Sequence, residues 1–160
     1  MSKIERLRII NLNYNNNTMH VDDEMFHFNG ESTLLSLRNG GGKSVLVQAM
    51  IAPFVSKRYR NLHDRTFSSY FTTRNPTYII VEWALDGGPN HVLTGMMVRK
   101  RAIQSDEDTT DDLEIVNFVH EYSKMNPYDI ENIPFVEEVN TGKKVKGFVN
   151  SKRLFEELKK

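Results

Sequence analysis

Apolar and polar positions divide the chain into short stretches with two different periods. Residues 3–12 (KIERLRIINL) interleave apolar and charged side chains and run into NYNNN, an asparagine cluster with turn chemistry. That pattern predicts a strand. Residues 18–21 and 25–28 predict a short hairpin folded across VDDE, and residues 33–37 (TLLSL) form a compact apolar run that stops at three glycines. From residue 44 to 52 (SVLVQAMIA) the apolar side chains follow a helical period, and Pro53 supplies a stop.

Beyond the helix, SKRYRNLHDR is basic and TFSSYFTTRNP is a Ser/Thr-rich connector. TYIIVEWAL and HVLTGMMVRKR then flank LDGGPN, two β-rich runs around an Asp-Gly-Gly-Pro turn, which predicts a hairpin. SDEDTTDD reads as an acidic loop, LEIVNFVHEY fits either a strand or a helix, and FVEEV-NTGKK-VKGFV predicts a second hairpin. In SKRLFEELKK, Leu154, Phe155 and Leu158 share one helical face, with Ser151 placed as N-cap. The expected fold class is α/β: an early strand-loop-helix unit followed by a substantial antiparallel β portion.

Composition narrows the chemistry. Lys plus Arg equals Asp plus Glu, 21 against 21, so no global attraction to nucleic acid or anionic membrane exists and such binding needs local patches. The chain has no cysteine, which excludes disulfides, thiolate zinc sites and cysteine nucleophiles and fits a reducing compartment. No run approaches the roughly 18 apolar residues of a membrane span, and MSKIERLRII has no signal-peptide core. A cytoplasmic location without membrane attachment is expected. The five histidines show no metal-ligand spacing, and the acidic stretch from Asp106 to Asp112 lacks the spacing of a calcium loop.

The stretch LLSLRNGGGKSVLVQ carries the sharpest chemical signal. Laid on the phosphate-loop pattern G-x-x-x-x-G-K-[ST], it matches at every fixed position except the first, where Leu37 replaces glycine. Glycines let the backbone curl so that successive N–H groups face a phosphate, and the following helix aims the positive end of its dipole at the same anion. The expected ligand is ATP with Mg²⁺, cradled by Asn39, Gly40, Gly41, Gly42, Lys43, Ser44 and Val45. Lys43 reaches the β- and γ-phosphates, and the Ser44 hydroxyl is the metal ligand. Leu37 then ends the preceding strand.

The N-terminal Lys3-Ile4-Glu5-Arg6-Leu7-Arg8-Ile9-Ile10-Asn11 and the later Asn39-Gly40-Gly41-Gly42-Lys43-Ser44 together resemble the head of an SMC-type ABC ATPase, the group of SMC, MukB, SbcC and RecN-like proteins. YIIVEWALDGGPNHVLTGMMVRKR is similar to the antiparallel strands of such heads. The resemblance implies that residues 1–150 form the N-terminal lobe of a P-loop NTPase head and that residues 151–160 begin a helix leading to a coiled coil. It further implies partners: the protein's own C-terminal ATPase lobe, a second head in a homodimer, DNA, and kleisin-like subunits. Chromosome segregation, DNA repair and anti-plasmid defence are the processes implied, with nucleoid association in the cytoplasm. No LSGGQ-type signature occurs, and the nearest Walker B imitation, Tyr78-Ile79-Ile80-Val81-Glu82, carries Glu where Asp belongs. The fragment alone is therefore expected to be inactive or very weak as an ATPase. The Q-loop position stays unassigned between Gln48, on the helix, and Gln104, beside the acidic loop.

Two other readings stand beside this one. A complete small P-loop kinase would use Arg99 and Arg101 as lid arginines, and a non-hydrolysing nucleotide-binding module would bind without turnover. Lys57, Arg58, Arg60 and Arg65, with the Arg99-Lys100-Arg101 run, supply candidate contacts to nucleotide or DNA; a solvated basic face is the plainer reading.

Overall fold

The structure is a computed structural model and describes residues 1–14, 18–36, 38, 42–61, 66–72, 75–101, 112–123 and 129–147. Strands carry half of these residues, and they include a single α-helix. Strands β1 (Lys3–Tyr14), β2 (Met19–His27), β3 (Thr77–Ala84), β4 (Asn90–Lys100) and β5 (Leu113–Ser123) form one sheet in the order β2-β1-β3-β4-β5. Every neighbouring pair is antiparallel. A separate hairpin joins β6 (Val136–Val139) to β7 (Gly142–Val145), and helix α1 spans Lys43–Ile51. No described helix is long and apolar enough to cross a membrane.

This architecture corrects the expected α/β fold class, the P-loop NTPase lobe with a strand feeding directly into the phosphate loop. Residues 32–36, where the buried TLLSL strand was expected, form no strand, and Leu34 is 92% exposed. The reason lies in the sheet. β1 already pairs with β2 on one side and β3 on the other, and β3 pairs with β1 and β4, so the interior offers no free edge. An apolar run becomes a strand only where a neighbour's ladder is open.

The hairpin expected across VDDE is also corrected. Residues 19–27 are one strand, in register from Tyr14↔Met19 to Arg6↔His27, because β1 runs two residues further than its apolar pattern indicates. The charges of VDDE are tolerated there because β2 is an edge strand and largely exposed. The hairpins around LDGGPN and NTGKK are present, and LEIVNFVHEY resolves as β5. The helix expected at 151–160, the Asn15–Asn17 turn and the acidic stretch up to residue 111 lie outside the described residues.

Helix α1 and the aromatic 3₁₀ turn Phe67–Tyr70 cover the first face of the sheet, packing Val45, Leu46, Ala49, Phe67 and Phe71 against Leu7, Ile9, Ile79, Val81, Met96 and Val98. The segment around Ile130, Ile133 and Phe135 covers the second face, over Ile10, Tyr78, Ile80, Leu93, Met97 and Phe118. Central strand β3 is buried on both faces, which explains its unbroken YIIV run. Burying each such side chain contributes on the order of 1.5–3 kcal/mol.

Two local devices set which face a residue meets. Asn11 adopts φ 56°, a left-handed conformation asparagine tolerates, and it breaks the alternation of β1. Ile10 faces the second cluster, yet Leu12 joins Leu7 and Ile9 in the first. The Asn11 side chain donates to the carbonyls of Asn75 and Pro76, at 3.1 and 3.2 Å, which holds the switch in place. On β4, Gly95 lies opposite Phe118, whose ring occupies the space a side chain at 95 would need: an added Cβ would sit 2.1 Å from Cζ.

Candidate functional site

Helix α1 begins at Lys43 because Gly42, its N-cap, takes φ 86° and ψ 15°. That left-handed turn is open to glycine and strained for other residues. The Leu46 N–H closes the first helical bond on the Gly42 carbonyl at 2.8 Å. Tyr14, the last residue of β1, presses its ring against the same glycine, 3.1 Å from where a Cβ would lie. Backbone conformation and the approach of Tyr14 thus both select glycine at 42.

Buried Val45, Leu46 and Ala49 fix the helix on the sheet, which leaves Lys43 and Ser44 solvent-exposed at its start. The first-turn N–H groups of any helix lack intrahelical partners and carry the positive end of its dipole. The first turn of α1 contains no acidic residue to compete for that end. Val45 is 3% exposed, so only its backbone N–H is placed to serve a ligand. Asn39, Gly40 and Gly41, the rest of the expected cradle, lie outside the described residues, as does Leu37. Beside Gly42 an apolar recess of about 140 Å³ is lined by Ile9, Leu12, Tyr14, Val21 and Phe26. Sequence reading missed Tyr14 because it placed the residue in a turn beyond the strand.

The structure places the remaining candidates elsewhere. Glu82, in the Walker B imitation, is buried and receives two hydrogen bonds from Arg6, at 2.7 Å from Nε and 2.9 Å from Nη2. Arg6 also reaches Asp129 at 3.3 Å. The Glu82 hydrogen bond is the largest influence on Arg6 and raises its pKa against the opposing effect of burial. Glu82 is therefore spent on a structural ion pair. Gln48 is likewise structural: its Oε1 accepts from the Tyr70 hydroxyl at 2.6 Å, and its Nε2 donates to the Arg60 carbonyl at 2.5 Å. Gln104 and Arg65 lie outside the described residues.

Arg99 pairs with Glu114 across β4 and β5 at 2.7 Å, and the Arg58 guanidinium sits 4.6 Å from the centre of the Tyr59 ring. Arg60 and Arg101 open on a different cleft from the α1 N-terminus. Among the described residues no group of three or more His, Asp or Glu side chains is arranged to hold a metal ion. His91 and His120 each stack on Tyr122, with ring centres 5.9 and 6.0 Å apart and planes about 20° from parallel. Near-parallel rings do not converge their in-plane nitrogens on one point, so this trio packs rather than ligates. Comparison of the chain with protein families, curated proteins and solved structures finds no match.

Proposed function

We propose that the chain binds the phosphates of ATP-Mg²⁺ at the start of α1. It would act there as the phosphate-binding part of an SMC-like ATPase on DNA, completed by a C-terminal lobe, a second head and, where present, kleisin-like subunits. One observation carries the reading: the Gly-Lys-Ser triplet sits where a left-handed glycine turns into a helix, with Lys43 and Ser44 exposed. Phosphate capture needs a helix N-terminus, inward N–H groups and a cation, and it needs no particular sheet topology. The antiparallel fold therefore leaves this chemistry intact. Lys43 meets the outer phosphates, and the Ser44 hydroxyl holds Mg²⁺.

Turnover by this chain alone is not expected. Phosphoryl transfer needs a positioned water and a complete charge clamp. The strand carboxylate Glu82 is occupied by Arg6, and Arg99, the lid residue of a kinase reading, is held by Glu114. Binding without hydrolysis by the isolated chain follows. The test is titration of a fluorescent ATP analogue with Mg²⁺ into the chain and its Lys43→Ala variant. Saturable binding that weakens at least about tenfold in the variant is expected. Equal binding by both would remove the site.

A further inference from the structure

Arg6, Arg8 and Arg99 each meet a carboxylate, at 2.7, 2.8 and 2.7 Å. Arg60 and Arg101 meet none among the described residues. Arg60 is partly buried, donates from Nε to the Ala52 carbonyl at 3.1 Å and lies 6.0 Å from the centre of the Phe67 ring. Its burial lowers its pKa. The Gln48 side chain, itself held by Tyr70, fixes the Arg60 backbone from the sheet side.

Both arginines line a cleft of about 460 Å³ between the segment that follows α1 and the paired ends of β4 and β5. That size falls within the roughly 300–1,000 Å³ of small-molecule sites. Among the described residues that line it, Lys57 adds a third cation and Asp112 is the single carboxylate. Asn61 and Asn117 contribute neutral hydrogen-bonding groups, while Phe67 and Ile115 give an apolar wall. None of residues 42–45 lines it.

We propose that this cleft is a second anion site, which binds a small phosphomonoester. The phosphate lies between Arg60 and Arg101, and the organic group rests on Phe67 and Ile115. Two guanidinium forks match a phosphate dianion better than a single-charged carboxylate, because each can donate two parallel hydrogen bonds. A nucleic-acid backbone is disfavoured: it calls for cations spread along a stripe, and here they gather in one recess of a chain with no net charge.

The test is calorimetric titration of phenyl phosphate into the full chain at low salt, with phenol as the control lacking the anion. Saturable one-site binding of phenyl phosphate and none of phenol is expected. Arg101→Gln, an exposed position, should weaken binding about tenfold, and Arg60→Gln at least as much with an unchanged circular dichroism spectrum. Lys43→Ala should leave this binding intact, which separates it from the proposed nucleotide site. Absence of saturable binding, insensitivity to Arg101→Gln, or loss on Lys43→Ala would each overturn the proposal. So would a short DNA duplex that displaces phenyl phosphate at lower concentration in an Arg101-dependent way.

Discussion

Arg6 and Arg60 are both partly buried guanidinium groups, and the protein satisfies them in opposite ways. Arg6, on the second face of the sheet, lies among Glu82, Asp129 and Glu131, and its charged form is favoured. Nearby, Arg8 is buried, paired with Asp23, and donates to the carbonyls of Ile130 and Ile133 at 2.8 and 3.2 Å. These two arginines fasten the 129–135 segment to β1. Arg60, on the rim of the first face, has a carbonyl and a ring for company, and burial disfavours its charge. Where electrostatics is closed within the fold it serves stability. Where no described carboxylate meets the guanidinium, the cleft beside it leaves room for the proposed anion.

The largest expected effect breaks the closed side. Glu82→Ala removes the two shortest hydrogen bonds of Arg6 and leaves it Asp129 and Glu131, which should cost about 3 kcal/mol in urea denaturation, the upper range for hydrogen bonds to a charged group. Arg60→Gln should cost about 1 kcal/mol, the worth of one hydrogen bond, while removing phosphomonoester binding. Equal losses of stability would erase the contrast between the two arginines.

A smaller effect probes the packing of the second face. Gly95→Ala drives a methyl into the Phe118 ring and should destabilise by about 1–3 kcal/mol. Pairing it with Phe118→Leu should recover part of that loss, because the conflict is with one named ring. An additive double variant would show that backbone conformation at 95, not the ring, selects glycine.

Acidity gives the smallest change. Burial alone would raise the Asp129 pKa, but hydrogen bonds from the Asn132 backbone N–H and side chain and from Arg6 outweigh it and lower the value. Its contribution is present above the unfolded-state pKa and lost as pH falls through the folded one. His120 is shifted down by burial, so its neutral form is favoured in the fold and stability is lost as pH falls below the unfolded-state value. Denaturation curves should therefore weaken in two stages, below about pH 6.5 and again below about pH 4. His120→Gln should flatten the first stage and Asp129→Asn the second.

Local chemistry made part of this molecule legible. The β3–β4 hairpin follows from two β-rich runs around Asp-Gly-Gly-Pro, and α1 follows from its apolar period and Pro53. The start of the helix follows from a glycine placed before Lys-Ser. TLLSL and the VDDE stretch were misread for a shared reason: whether a segment becomes a strand depends on which edges distant strands leave open. LEIVNFVHEY was ambiguous until β4 offered its edge. The same distance hid the second cleft. Arg60, Arg101 and Asn117 line one cleft only after the sheet brings together segments far apart in the chain, and Tyr14 meets Gly42 only once β1 has run its full length.

The central claim is that the start of α1 holds the phosphates of ATP. Amide chemical-shift mapping of the isotope-labelled chain during titration with ATP-Mg²⁺ tests it most directly. The account predicts the largest shifts at Gly42, Lys43, Ser44 and Val45, with smaller ones at Tyr14 and none that depend on Lys43 at Arg101. Shifts confined to residues around Arg60 and Arg101, with residues 42–45 unmoved, would contradict it.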